Sequence, residues 1–317
     1  MNKPRHATYR DYIRIARPDH WIKNLFILPG TFAAWALLRN SWDAAAGLRL
    51  VLALASTCLV ASANYVINEW LDAKFDRFHP TKKNRPVVVA DLKPRPVYAE
   101  WALLAVAGLA LSLLVGRLFF AMAFWLFLMG IAYNVEPLRT KDIPFLDVLS
   151  ESVNNMIRFL MGWFVLTDAF LPPCSVVLGY WMAGAFLMAT KRFAEYRMIG
   201  DPERAGLYRK SFRLYTESSL LVSSFVYAIL STMLLGVFLV KHRIELLLSV
   251  PFLVALFGMY LSIAYKPDSA AQKPEKLYHE RGLMLLTLLF AASIVIGAFI
   301  EMPWLSVFTS KELLSLR

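Results

Sequence analysis

The sequence predicts an all-α membrane fold, a polytopic helical bundle of about nine transmembrane helices, on three observations. Of its 317 residues, 58% are hydrophobic and 18% charged, with a mean hydropathy of +0.50, too apolar for a water-soluble domain of this length. Apolar windows recur at 21–39, 50–70, 97–115, 117–134, 144–166, 173–192, 214–240, 245–265 and 282–302, each near the ~20 residues that a spanning helix needs. The Lys and Arg residues fall mostly on one alternate set of the connections between them. Windows this long exclude barrel strands of about ten residues, and a backbone in hydrocarbon must satisfy its own hydrogen bonds, which leaves helices.

Orientation follows from the charges. The N-terminal segment, the 74–95 loop, Arg139 and Lys141, the 191–213 region and the 266–281 loop hold 26 of the 34 Lys and Arg residues. The opposite connections hold seven, Lys311 and Arg317 among them, and Arg158 lies inside an apolar window. Retention of positive loops in the cytoplasm puts the N-terminus inside, the 26-cation face in the cytoplasm and the C-terminus outside, in a bacterial inner membrane. The net charge of +11 is thus concentrated where it can attract anionic membrane lipid or a polyanionic substrate; nucleic acid is not an expected partner. Residues 1–317 read as a single integral membrane domain, and a homo-oligomer is compatible with it. The polar start, Met1 to Arg17, is followed by an apolar stretch without a small-residue cleavage site, which reads as a retained first helix. Cys58 and Cys174 lack metal-ligand spacing and imply no disulfide framework.

The second window runs into the most informative segment. Asn64, Asn68, Asp72 and Asp76 recur every four residues and therefore share one helical stripe. Two carboxylates a turn apart with an amide oxygen suit Mg²⁺, a hard cation that keeps waters and completes its shell with substrate phosphates. The bland alternative is a solvated helix end with incidental acids. The following Arg77-Phe-His79-Pro80-Thr81-Lys82-Lys83-Asn84-Arg85-Pro86 breaks the helix and supplies four fixed cations. Metal and carboxylates on one side with Lys and Arg on the other form the arrangement that a diphosphate leaving group needs. His79 reads as a packing or hydrogen-bonding residue rather than a ligand.

The fifth window carries a second stripe, Asp147, Glu151, Asn154 and Arg158, with Asn155 alongside; it is expected to face the bundle interior, where Arg158 can be paired and a polar cavity lined. Just before it, Tyr133, Arg139 and Lys141 can grip phosphate oxygens. The sixth window ends in Lys191-Arg192-Phe-Ala-Glu195, with Lys191 and Glu195 one turn apart. The 204–213 run, with Arg204, Arg209, Lys210 and Arg213, reads as an amphipathic interfacial segment.

The chain resembles the UbiA superfamily of intramembrane transferases, whose members share a nine-helix bundle and an Asn-Asp-x-x-Asp-x-x-x-Asp motif after the second helix. Here the motif is Asn68-Glu69-x-x-Asp72-x-x-x-Asp76, Glu69 adding a methylene to the usual Asp. Usual prenyltransferases carry a second aspartate-rich motif near the end of the sixth helix; here Lys191-Arg192-x-x-Glu195 stands in its place. That departure, with His79-Pro80-Thr81-Lys82-x-x-Arg85-Pro86, Arg17-Pro18-x-x-Trp21-x-Lys23-Asn24 and Pro274-Glu275-Lys276-Leu277, resembles the decaprenyl-phosphate phosphoribosyltransferase branch.

The resemblance implies transfer of phosphoribose from phosphoribosyl pyrophosphate to a polyprenyl phosphate, with Mg²⁺ as cofactor and pyrophosphate released. It places the metal on Asn68, Asp72 and Asp76, with Asp72 and Asp76 as the catalytic pair. Donor phosphates are then expected on Lys82, Lys83, Arg85, Tyr133, Arg139 and Arg158, and the acceptor phosphate on Lys23, Asn24, Lys191 and Arg192. Asn64, Asp147, Glu151, Asn154 and Glu195 support them. The physical reading points the same way: two anionic substrates favour a cation-rich second cluster, and a phosphate monoester with a second pKa near ~6 is a nucleophile at neutral pH without a general base. The alternatives are a prenyl transfer to an aromatic or other small acceptor, and a non-catalytic transporter or lipid-binding scaffold.

Overall fold

A computed structural model describes residues 5–39, 42–267, 269–272 and 274–309. Lys3, Lys273, Lys311 and Arg317, and the side chains of Pro274, Glu275 and Lys276 in the late motif, lie outside the described residues. The helices are α1 (Tyr9–Ile15), α2 (Leu28–Leu38), α3 (Ala44–Asp76), α4 (Pro86–Val89), α5 (Pro94–Leu113), α6 (Arg117–Asn134), α7 (Leu146–Trp163), α8 (Cys174–Ile199), α9 (Pro202–Tyr208), α10 (Glu217–His242), α11 (Val250–Ala264) and α12 (Arg281–Phe299). The short strands β1 (Arg5–His6) and β2 (Ala90–Asp91) pair in parallel.

Eight helical stretches among the described residues are long and apolar enough to cross a membrane. The ninth expected window forms α7, which is helical over 18 residues but too polar on one face to count among them. Outward positions such as Leu103, Val106 and Leu288 are about two-thirds exposed or more, as they are where lipid is the solvent. Inside, Ile27, Phe119, Met161 and Trp163 build one core and Phe186, Phe193, Phe212 and Leu220 another.

Two features position the site. Helix α3 has 33 residues, about 50 Å at 1.5 Å per residue, so its C-terminal end outruns a hydrocarbon core of ~30 Å and carries its polar stripe out of it. The segment Pro18–Ile27 with α2 lies backbone against backbone on α7. A Cβ on Gly30 would fall 1.9 Å from Phe159 O and one on Gly162 1.9 Å from Ile27 O, so only glycine permits this approach. Thr31 Oγ1 donates to Gly162 O at 3.0 Å across the same contact.

Candidate active site

A cavity of about 360 Å³ opens between α3, α6, α7, α8 and the Pro18–Ile27 segment, within the range of ligand pockets. All four rungs of the α3 stripe, Asn64, Asn68, Asp72 and Asp76, line it, because i,i+4 spacing keeps them on one face. Lys23, Lys82, Arg85, Tyr133, Glu151, Asn154, Arg158, Lys191 and Arg192 also line it.

The acids are held by cations. Asp72 Oδ1 lies 2.6 Å from Lys141 Nζ and accepts from Arg139 Nη2 at 2.9 Å. Lys141 Nζ also donates to Asn134 Oδ1 at 2.7 Å, and the Asn68 amide donates to the same oxygen at 2.5 Å. Burial outweighs the attraction of Asp72 and pushes the Lys141 ammonium down to about 8. Asp76 Oδ2 accepts from Arg85 Nη1 at 2.7 Å. Glu69 does not line the cavity; its Oε1 sits 3.5 Å from Arg85 Nε and 3.6 Å from Arg17 Nε, bridging two cations of the cavity wall.

The opposite wall is built on α7 and α8. The Arg192 guanidinium is fully buried among Glu151, Glu195 (3.0 Å) and Asp147 (3.4 Å). Tyr133 Oη accepts from Arg192 at 3.1 Å and Arg209 at 3.2 Å and donates to Glu151 at 2.7 Å. Asp147 is wholly buried, accepting from Tyr215 at 2.6 Å and Ser211 at 3.2 Å. Lys82 Nζ reaches across to Glu195 Oε1 at 3.1 Å and donates to Tyr208 Oη; burial pushes its ammonium down from the ordinary lysine range. His79 is a buried hinge of this loop. Its Nδ1 accepts from the Thr81 and Lys82 amides at 3.2 Å, its ring meets Tyr208 edge-on at 4.5 Å, and burial ahead of the neighbouring Lys82 charge pushes it down to about 3.

Several expectations change. Lys83 is exposed on the Lys82–Asn84 turn and faces away from the cavity, since adjacent residues of a 3₁₀ turn point apart. Arg139 is buried behind Asp72 rather than in the cavity wall. Arg192 and Tyr133 are committed to protein partners, so neither is a free phosphate anchor. Glu195 pairs with Lys82 and Arg192, not with Lys191. Asn24 is buried and accepts from Arg158 Nε at 3.0 Å while donating to Cys58 Sγ at 3.2 Å, outside the cavity lining. No carboxylate among the described residues pairs with Arg158, because Asp147 and Glu151 of its own stripe are taken by Arg192. The 204–213 run is not purely interfacial: α9 ends at Tyr208, and Tyr208 and Arg209 turn inward to line the cavity. Arg17, with φ 53° at the start of the Pro18–Ile27 segment, and His20 line it too. The Arg17-Pro18 step was the one sequence signal for them.

No three His, Cys, Asp or Glu side chains among the described residues cluster as a ready metal cage. The oxygens facing the cavity nevertheless fit a hard cation that takes one or two carboxylates and leaves the rest of its shell to water and ligand oxygens. Asp72, Asp76 and Asn68 share one wall, and Asn64 Oδ1 is buried without a hydrogen-bond partner.

A bundle whose cation-rich loops converge on one polar cavity, with acids and cations on facing walls, is that of an integral membrane transferase. The chain belongs to the UbiA prenyltransferase family, whose model matches residues 25–289. It is similar to the decaprenyl-phosphate phosphoribosyltransferase of Mycolicibacterium smegmatis, 32% identical over 220 residues that cover 66% of this chain and 63% of that protein. The enzyme of the same name from Corynebacterium glutamicum is 28% identical over 233 residues, 66% of this chain and 60% of that protein. The chain thus spans about three fifths of the length of these relatives. The fold matches a UbiA homologue from Archaeoglobus fulgidus solved with GPP and Mg²⁺, with a TM-score of 0.67 and 20% identity over 92% of this chain and all of that one.

Proposed function

We propose that this protein transfers a phosphoribosyl group from phosphoribosyl pyrophosphate to a polyprenyl phosphate, at the cytoplasmic face of a bacterial inner membrane. The observation that carries the reading is the charge of the cavity wall: eight Lys and Arg side chains against three carboxylates, Asp72, Asp76 and Glu151. Five of the eight also pair with protein carboxylates, whereas Arg158 and Lys191 form no ion pair among the described residues, and a prenyl diphosphate with a neutral acceptor brings only one anion to that charge. Two phosphorylated substrates use it. The names of the Mycolicibacterium and Corynebacterium relatives support the same donor and acceptor.

Asn68, Asp72 and Asp76 would hold Mg²⁺, which supplies neutralisation of the departing pyrophosphate. Lys82 and Arg85, fixed by Glu195 and by Asp76 with Glu69, orient the donor phosphates from the loop side. Arg139 and Lys141 keep the Asp72 carboxylate ionised and aimed from behind. Lys191 and Lys23 receive the lipid phosphate, and the exposed flank of Ile22 and Phe26 at the cavity rim gives its isoprenoid tail an apolar exit. The acceptor phosphate oxygen forms a bond to the anomeric carbon while the bond from that carbon to the pyrophosphate oxygen breaks, taking its electron pair. No proton transfer is required at the reacting atoms, because the acceptor phosphate is already ionised at neutral pH. Release of pyrophosphate by the purified protein, dependent on both phosphoribosyl pyrophosphate and a polyprenyl phosphate, tests the reading; release that needs a prenyl diphosphate instead refutes it.

A further inference from the structure

Asn134, the last residue of α6, is 2% exposed and lines the cavity together with Asn68 and Asp72. Its side chain has one workable arrangement. Nδ2 donates to Gly130 O at 2.8 Å, one turn back, and Oδ1 accepts twice, from Lys141 Nζ at 2.7 Å and from Asn68 Nδ2 at 2.5 Å. An ammonium only donates and a carbonyl oxygen only accepts. Turned over, the Asn134 amide would set its NH₂ against the Lys141 ammonium and its oxygen against Gly130 O, losing every bond it makes. The Arg139 guanidinium donates to Asn134 O at 2.9 Å and ties down the backbone of the same residue.

That fixed acceptor decides how the neighbouring amide is turned. Asn68 Nδ2 is committed to Asn134, so Asn68 Oδ1 points the other way. This oxygen accepts no hydrogen bond among the described residues, and it is not sealed from the cavity that Asn68 lines. Reversed, it would meet Asn134 Oδ1, oxygen against oxygen. Lys141, which locks the Asn134 amide, lies 2.6 Å from Asp72 Oδ1, so the lock is joined to the acid pair itself.

We propose that Asn134 is a positioning residue that turns the Asn68 amide so that its oxygen, and not its NH₂, is offered to a hard cation beside Asp72 and Asp76. The role rests on the metal assignment above and is independent of which substrates the protein joins. Without Asn134 the Asn68 amide is free to present either end, and a cation is repelled by one of them.

The test is an electron paramagnetic resonance titration of the purified full chain in detergent with Mn²⁺ alone, reading free Mn²⁺, followed by displacement with Mg²⁺. Asn134→Leu, close in volume but without the acceptor, weakens Mn²⁺ binding about tenfold, the low end of what partners that orient metal ligands contribute. Asn134→Ser leaves the helix end polar, at less risk to folding, but its short hydroxyl draws back from Asn68, and it gives the same loss. In an Asn68→Asp background either change leaves Mn²⁺ affinity within about twofold, because a carboxylate offers an oxygen whichever way it is turned. A general loosening of the site would weaken binding in that background as well. Parental Mn²⁺ affinity in both Asn134 variants, or an equal loss in the Asn68→Asp background, overturns the positioning role and leaves the metal assignment standing. A parent protein that takes up no Mn²⁺ displaceable by Mg²⁺ overturns both.

Discussion

Lys82 Nζ meets Glu195 Oε1 at 3.1 Å, joining the loop after α3 to the end of α8 across 113 residues of sequence. The acid at the end of α8 thus anchors a cation of the facing loop instead of extending a carboxylate cluster. Glu195→Gln frees Lys82, and the donor KM is expected to rise several-fold with a smaller change in kcat. In a double-mutant cycle with Lys82→Met the two effects are non-additive, with a coupling of about 0.5–3 kcal/mol. Strictly additive effects would show that the pair does not act as a unit.

Asp72→Asn keeps the side-chain volume and one acceptor for Arg139 and Lys141, so the protein remains folded in membranes. Turnover is expected to fall by at least about 10²-fold, the usual cost of removing an electrostatic group at the reacting centre, and a chelator should do the same to the parent protein. Near-parental turnover in the variant would remove Asp72 from the metal site.

Lys191 and Arg192 are neighbours with different fates. Arg192→Met leaves Asp147, Glu151 and Glu195 without their shared partner and is expected to cost about 3–5 kcal/mol of stability, seen as a lowered Tm. Lys191, which forms no ion pair within 4.0 Å among the described residues, is different. Lys191→Met should leave Tm near the parent value and raise the acceptor KM about tenfold. The opposite pattern would exchange their roles.

His79 is held neutral, its pKa pushed from the ordinary 6.5 down to about 3. Between those values the unfolded chain binds the proton and the folded chain does not, so stability rises with pH across that window and is lost on acidification. His79→Gln flattens the dependence of Tm on pH between about 6.5 and 4. An unchanged slope would show that another group dominates acid sensitivity.

How far these features were legible depends on whether one helix holds them. The Asn64–Asp76 ladder and the Asp147–Arg158 stripe were readable because i,i+4 spacing is intrinsic to a helix; the ladder and Glu151, Asn154 and Arg158 of the stripe line one cavity, while Asp147 is buried behind it. Partner choice was not: Glu151 and Asp147 go to Arg192 of α8 because helix packing, not sequence distance, decides which guanidinium is nearest. Tyr208 and His20 were not singled out, and Arg209 and Arg17 were read only as part of an interfacial run and of a motif, because the helix end and the turns that aim them inward carry no period of their own. The window at 144–166 does form a helix, α7, which differs from the eight apolar spans because it carries Asp147, Glu151 and Arg158 and owes its burial to neighbouring helices.

The most direct measurement is mass spectrometry of the lipid product after the purified protein is incubated with Mg²⁺, a polyprenyl phosphate and phosphoribosyl pyrophosphate, beside a reaction given a prenyl diphosphate and an aromatic acceptor. A lipid-linked phosphoribose in the first reaction alone is the predicted result. Prenylated product in the second with none in the first would contradict the account and assign the cavity to ordinary prenyl transfer.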